Sequence, residues 1–173
     1  MGKFSNVQLA RINKTKMFFE NRSEFLTQLE KDIKALEKKA NKLGLTCAVR
    51  LNGTSDIEWL RFGIMSKFPN VQFYDYTKVL NRLSVMRPTN YHYTFSKNES
   101  NDEDCLHALK MGVNVAIVFN TKKGKDLPKT WNGYPVYDGD DTDARFLDPK
   151  GGYVIGLRAK GEAKKDRSGF VVA

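Results

Sequence analysis

Leu45–Leu51 (LTCAVRL), Val71–Tyr76 (VQFYDY), Asn90–Ser96 (NYHYTFS) and Val113–Phe119 (VNVAIVF) decide the fold. Each is a run of six or seven residues bounded by turn formers, the first mostly apolar as a strand covered on both faces would be and the others rich in β-branched and aromatic side chains. Helical signals lie between them. Ser55 with Glu58 reads as a capping box opening a helix through Ile57, Leu60, Phe62 and Ile64 to Lys67. Thr77 can cap a short helix over 78–85, and Asn101 one over 102–111 that Gly112 ends. Residues 45–119 thus alternate strand and helix with short connections. That pattern predicts a parallel sheet with right-handed crossovers.

Before this region the chain is helical. Residues 5–20 read as one helix, with Val7, Leu9, Ala10, Ile12 and 17–19 as apolar positions. Asn21 followed by Glu24 resembles an N-cap with its third-position acid, opening a helix to Leu43. Phe25, Leu29, Ile33, Leu36, Ala40 and Leu43 form one stripe on it, and Gly44 stops it. After Phe119 the pattern loosens, with short strands expected at 134–137, 153–158 and 169–172. The expected fold is α/β, an open partial (βα) barrel or parallel sheet. Two N-terminal helices precede it and short strands follow. The chain reads as one domain over 1–173: a helical part at 1–43, the repeats at 45–119 and a loop-rich part at 120–173.

Composition excludes several classes. With 173 residues and 40% hydrophobic content, the chain can bury a core without staples. No apolar stretch approaches the roughly 20 residues of a membrane span. The N-terminus lacks a signal-peptide core, and the Met1-Gly2 opening lacks the Ser or Thr that myristoylation needs at position 6. Cys47 and Cys105 are too few and too far apart for a disulfide framework or metal spacing. The two histidines, His92 and His107, form no triad with a nucleophile, and no glycine-rich phosphate loop follows a strand.

Net charge is +9, from 29 basic and 20 acidic residues, and its distribution is uneven. Residues 101–150 are the acidic part, whereas both ends are basic. A basic surface attracts phosphate backbones and anionic ligands. Lys122, Lys123, Lys125 and Lys129 precede Trp131, and Lys160, Lys164, Lys165 and Arg167 precede Phe170. Such basic runs beside aromatics are how single strands are held. Arg11, Lys14 and Lys16 likewise flank Phe18 and Phe19, but these two rings are expected in the core. With no base-reading motif, contact with nucleic acid through these lysines is expected to be electrostatic.

In parallel α/β folds, ligands bind outside the carboxyl ends of the strands. That rule selects Asn52, Ser55 and Asp56 after the first strand and Asp75, Tyr76, Thr77 and Lys78 at the second. It selects Thr94 and Ser96 at the third, Asn120 after the fourth, and Asp138 and Asp140 after the next. The same residue types also serve as caps and turn formers. As a set they could line a pocket for an anionic or nucleotide-like ligand. Asp138–Asp143 (DGDDTD) carries four carboxylates, but Ala144 and Pro149 stand where a calcium loop needs Gly and Glu. A tight acidic turn paired with Arg145 is the expected arrangement, with no metal.

Several segments are distinctive together. Leu9–Phe19, Ala48–Asp56, Phe73–Lys78, Asn90–Ser96, Asp138–Asp140 and Arg145–Pro149 resemble the phage and plasmid family called gene-product-88-like, over essentially the whole chain. The resemblance implies a mobile-element origin and the cytoplasm of a bacterial host, and no defined activity; the lack of a membrane-length apolar stretch leads to the expectation of no membrane partner. Longer relatives begin with an extra strand and a cysteine-bearing segment, a layout similar to the partial barrel of radical S-adenosylmethionine enzymes. This chain starts at Met1-Gly-Lys-Phe, after that segment, as a short form or an incomplete gene would. It has no Cys-x₃-Cys-x₂-Cys for an iron–sulfur cluster, so no cofactor is expected in it. The functional expectation is a ligand at the strand ends, nucleic acid on the basic faces, or both. The other expectations are a host-defence antagonist acting through a host protein, and a truncated relative of a radical-type enzyme.

Overall fold

The computed structural model describes residues 5–173, so the Met1-Gly2 opening lies outside the described residues. It divides into two compact units, 1–47 and 48–173.

The first unit holds α1 (Ser5–Glu20) and α2 (Arg22–Lys42), as the periodicity predicts. Phe18 is buried at their joint, edge-on to Phe19 and Phe25, with the Arg22 guanidinium 4.9 Å from its ring centre. Phe19 is 68% exposed, so only one of the two rings is core. Asn21 does not cap α2; its side-chain amide donates to the Glu24 carboxylate instead. Gly44, at φ +65, ends α2 as expected. Leu45 N–H returns to the Ala40 carbonyl and Gly44 N–H to that of Asn41, which satisfies carbonyls the helix leaves open.

The second unit is built on eight strands. They are β1 (Ala48–Val49), β2 (Gln72–Thr77), β3 (Tyr91–Ser96), β4 (Val115–Phe119), β5 (Thr130–Trp131), β6 (Tyr134–Asp138), β7 (Val154–Arg158) and β8 (Val171–Val172). The order is β1-β2-β3-β4-β7-β6-β5. Every pairing is parallel except β5 with β6. The sheet stays open. The β5–β6 hairpin turns on Asn132 and Gly133, both at positive φ, the form that Asn-Gly favours and that matches strand twist.

β3 pairs with β4 only at Val115 and Ala116, whereas β8 pairs with Val118 and Phe119. The chain leaves β4 after Ser96, and β8 takes the vacated edge. Lys97 fastens that junction. Its buried ammonium donates to the Asn98 and Gly169 carbonyls and pairs with Asp102 at 2.9 Å.

Two predicted helices are corrected. No helix starts at Ser55; a 3-10 turn spans Trp59–Phe62 and one α turn, α3, spans Ile64–Lys67. The cause is Asn52, whose side-chain oxygen accepts from Ser55 Oγ, Ile57 N and Trp59 Nε1. Ser55 Oγ, the group that would accept at the head of a capping box, is thus turned back onto a residue upstream of it. Glu58 turns to Arg61 at 2.7 Å, and Gly63 at φ +63 separates the two turns. The 78–85 helix shrinks to a 3-10 turn, Leu80–Ser84. The first strand shortens to β1 for the same local reasons, since Leu45 closes α2 and Asn52 N–H donates to Asp75. The helix α4 (Asp102–Lys110) forms as expected, but Asn101 does not cap it. Its side chain instead bonds Asn98 N and the Ser96 carbonyl.

Register and pleat assign the faces. Phe73, Asp75, Thr77, Tyr91, Tyr93, Phe95, Val115 and Ile117 share one face, all buried, which carries the core. α4 packs on β3, β4 and the Leu80–Ser84 turn, burying Cys105, Ala108 and Leu109. Tyr74, Tyr76, His92, Thr94 and Ser96 share the opposite face, crossed by the 3-10 turn Arg145–Leu147. Phe146 lies 5.3 Å from the Tyr74 ring, and the Tyr76 hydroxyl donates to Asp143.

Candidate functional site

The strand-end residues fall into three groups. On the core face, buried Asp75 accepts from Asn52 N–H at 2.6 Å and from the Tyr91 hydroxyl at 2.7 Å. Burial pushes its carboxyl up to about 6. Asn52 is buried in the loop network already described, and Ser55 serves that network. Asp56 accepts from the Thr77 hydroxyl and from Lys78 N–H, and it pairs with Arg82. These partners occupy the polar atoms of Asn52, Asp56, Asp75 and Thr77 with the fold itself.

The second group faces the other way. Tyr76 and Asp75 are consecutive, so they point to opposite sides. Arg50 Nη1 meets Asp143 at 2.8 Å, and its guanidinium lies 4.5 Å from the Tyr76 ring centre. Burial first, and Asp143 after it, hold the Tyr76 phenol above its ordinary range. Thr94 is buried and sits 3.5 Å from His92 Nε2, while Ser96 is half-buried. His92 is pulled down to about 4 by burial and by Arg87, Lys150 and Arg145. It is therefore uncharged at neutral pH.

The third group lies at the carboxyl ends of β4, β6 and β7. Arg158 closes β7 and is its hub. Nη1 donates to Asp138 and Asp140, at 2.9 Å each, and Nε and Nη2 donate to the Lys125 carbonyl. Lys160 Nζ donates to Asp140 at 2.8 Å. Burial raises the Asp140 carboxyl, but the Lys160 and Arg158 bonds outweigh it and hold it below the ordinary range. Asn120 is exposed beside this group, its N–H donating to the Val172 carbonyl.

The acidic turn is corrected in its partners. Arg145 does not neutralise it: Arg158, Lys160 and Arg50 do. Arg145 is 1% exposed and donates from Nη2 to the Gly139 carbonyl. Gly139 is required there, since a Cβ would lie 2.4 Å from Arg145 Nη1 and 2.5 Å from Ile155 Cγ2. Gly139→Ala is expected to cost about 1–3 kcal/mol by overpacking, read as a lower urea midpoint with an unchanged slope. No change in midpoint would show that the contact relaxes freely. No group of three or more metal-ligating side chains forms among the described residues.

Two of the three basic runs meet around Arg158. Lys123, Gly124, Asp140, Asp141, Arg158–Gly161 and Lys164 line a cleft of about 640 Å³. Arg158 draws the 122–125 loop onto β7 through the Lys125 carbonyl, which is how residues far apart in sequence share one wall. Asp166, bonded to Ser168 and to Val171 N–H, ties the 160–168 segment to β8. Lys122, Lys125, Lys165 and Arg167 lie outside that lining, and Lys165 pairs with Glu162 at 3.6 Å. A second cleft, of about 330 Å³, adjoins the first, lined by Val118, Gly139, Asp140, Thr142, Asp143, Leu157, Arg158, Lys160 and Ala163. Sequence reading omitted Arg158, although it ends a predicted strand and the strand-end rule covers it. Arg50 was missed too, because it lies within the predicted first strand, two positions before Asn52.

A model of the family described as gene product 88 matches residues 1–173. The chain belongs to that family. Gene product 88 is a phage-type family, in agreement with the segments quoted above. No curated protein and no solved structure shows significant similarity to the chain, so a likeness to radical S-adenosylmethionine enzymes is not shown. No helix among the described residues is long and apolar enough to cross a membrane.

Proposed function

We propose that this gene product 88 protein binds phosphate-bearing ligands, nucleic acid among them, through the cleft at the ends of β4 and β7. The observation that carries this reading is the meeting of Lys123, Lys160 and Lys164 around one cleft. Two separate loops supply them, both held by Arg158 and Asp140. Lys160 is 75% exposed and keeps two donors beyond its bond to Asp140. Arg158 spends its donors on the fold and acts as a positioning residue. Asp140 and Asp141 offset part of the charge, which favours a small number of phosphates over a long polyanion track. The cleft also stands where parallel α/β sheets place ligands.

Three lysine–phosphate contacts imply a slope of log affinity on log salt of about −2 on single strands and about −3 on duplex. Filter binding of a random oligonucleotide should therefore weaken roughly 20- to 40-fold between 50 and 200 mM salt, with little dependence on base sequence. The triple variant Lys123→Glu, Lys160→Glu, Lys164→Glu should abolish binding, and Lys110→Glu on α4 should leave it intact. No binding at low salt, or equal binding by the triple variant, would overturn the proposal.

A further inference from the structure

The two clefts differ in chemistry although Asp140, Arg158 and Lys160 line both. The larger sets three lysines and Arg158 against Asp140 and Asp141, and it has two glycines, Gly124 and Gly161, where backbone can approach a ligand closely. A Cβ at either glycine would meet nothing within 4 Å, so the approach is open. The smaller has an apolar side made by Val118, Leu157 and Ala163 and a polar side made by Thr142, Asp143 and Asp140. It adds no cation to the shared pair, and it adds the Asp143 carboxylate.

That contrast decides what can lie across the wall. Phosphate suits the lysine side. On the other side two carboxylates face only two cations, so a second phosphate gains little there, and the carboxylates accept hydrogen bonds from hydroxyl groups. The Asp143 side chain already stands fixed between Arg50 and the Tyr76 hydroxyl, which orients its oxygens without movement. The Thr142 hydroxyl accepts from Ala144 N–H and still has its own proton to donate. The apolar side offers Val118 and Leu157 to a flat, weakly polar group. Pockets in the range of about 300–1,000 Å³ with apolar walls and a few fixed polar groups hold small ligands.

Resting on the phosphate-binding reading above, we infer that the paired clefts take a single nucleoside phosphate. Its phosphates sit among Lys123, Lys160 and Lys164. Its sugar hydroxyls face Asp143 and Asp140, and its base lies on Val118 and Leu157. The same chemistry is offered by a free nucleotide and by the terminal nucleotide of a strand. An internal nucleotide would have to carry its next phosphate past Asp140 and Asp143.

The test compares probes on the intact protein by calorimetry: adenosine and guanosine triphosphates, inorganic triphosphate, adenosine, and oligonucleotides with and without a 5′-triphosphate. A nucleoside triphosphate should bind at least tenfold tighter than inorganic triphosphate. If a strand end is the source, the 5′-triphosphate oligonucleotide should exceed its unphosphorylated twin by a similar factor. Thr142 is exposed, so Thr142→Trp should fold and fill the smaller cleft. It should lower nucleotide affinity to that of inorganic triphosphate and leave the latter unchanged. In the wild type, nucleotide but not inorganic triphosphate should shift the methyl resonances of Val118 and Leu157. Equal affinity for nucleotide and inorganic triphosphate, with unmoved methyls, would overturn the nucleoside subsite and leave the phosphate site standing. Loss of all binding would overturn both.

Discussion

Replacing Arg145 with alanine should lower the unfolding free energy by about 3–5 kcal/mol. The guanidinium is 1% exposed, yet among the described residues only its Nη2 makes a hydrogen bond, to the Gly139 carbonyl. Nη1 lies 3.3 Å from Asp148 Oδ2 without hydrogen-bond geometry, and Nε has no hydrogen-bond partner among the described residues. Asp148 is 4% exposed, and burial raises its carboxyl despite Arg145 beside it. This is a buried pair whose attraction only partly offsets its desolvation. Removing one member strands the other as an uncompensated charge and opens a cavity where the side chain was. Removing both behaves differently. Arg145→Met with Asp148→Leu should recover most of the loss, because a packed apolar pair carries no desolvation cost. Urea unfolding followed by circular dichroism reads both variants. A single variant costing under about 1 kcal/mol, or a double variant no better than the single, would show that the pair does not act in this way.

Two buried groups should cancel each other's pH dependence, and single variants should expose it. Asp75 titrates at about 6 in the fold against 3.8 in the unfolded chain. Between those values the native state holds the extra proton, so stability falls as pH rises. His92 titrates at about 4 against 6.5 unfolded. There the unfolded chain holds the extra proton, so stability is full above 6.5 and is lost as pH falls toward 4. Shifts of this size correspond to about 3 kcal/mol each, with opposite sign over nearly the same window. Wild-type stability should therefore be almost flat from pH 4 to 6.5 as far as these two groups decide it. Asp75→Asn leaves His92 alone, and its stability should drop by about 2–3 kcal/mol on acidification through that window. His92→Gln leaves Asp75 alone, and its stability should rise by about as much. Urea midpoints at half-unit pH steps test this. Parallel profiles for the two variants would refute it. Asp140 and Asp166 are both held below the ordinary value, so their contribution is lost only further into acid.

The alternation of strands and helices was legible because strand composition and turn residues bracket each run, and β2, β3, β4, β6 and β7 appear close to the expected positions. The helix expected at 55–67 was not legible. Its failure depends on one side chain, Asn52, reaching forward to three donors, which a capping pattern at Ser55 and Glu58 does not reveal. The sorting of Asp75 from Tyr76 could have been read from the period of two alone. The strand-end rule picks positions along the strand axis, and only the pleat says which side each one serves. The meeting of Lys123 with Lys160 and Lys164 could not be read, because it depends on β7 lying next to β4 across a long intervening loop. The β5–β6 hairpin could have been read from Asn132-Gly133 between two strand-forming runs.

The place of β8 has a consequence for how the chain acquires its shape during synthesis. Val118 and Phe119 expose one backbone edge until Val171 and Val172 exist to cover it. At a translation rate of about 5–20 residues per second, that gap corresponds to several seconds. Throughout it the Val118–Phe119 end of the strand presents an apolar, unpaired margin, the kind of edge that recruits other chains. Synthesis at high ribosome density would bring such margins together. Slower initiation, rather than slower elongation, should raise the yield of soluble product.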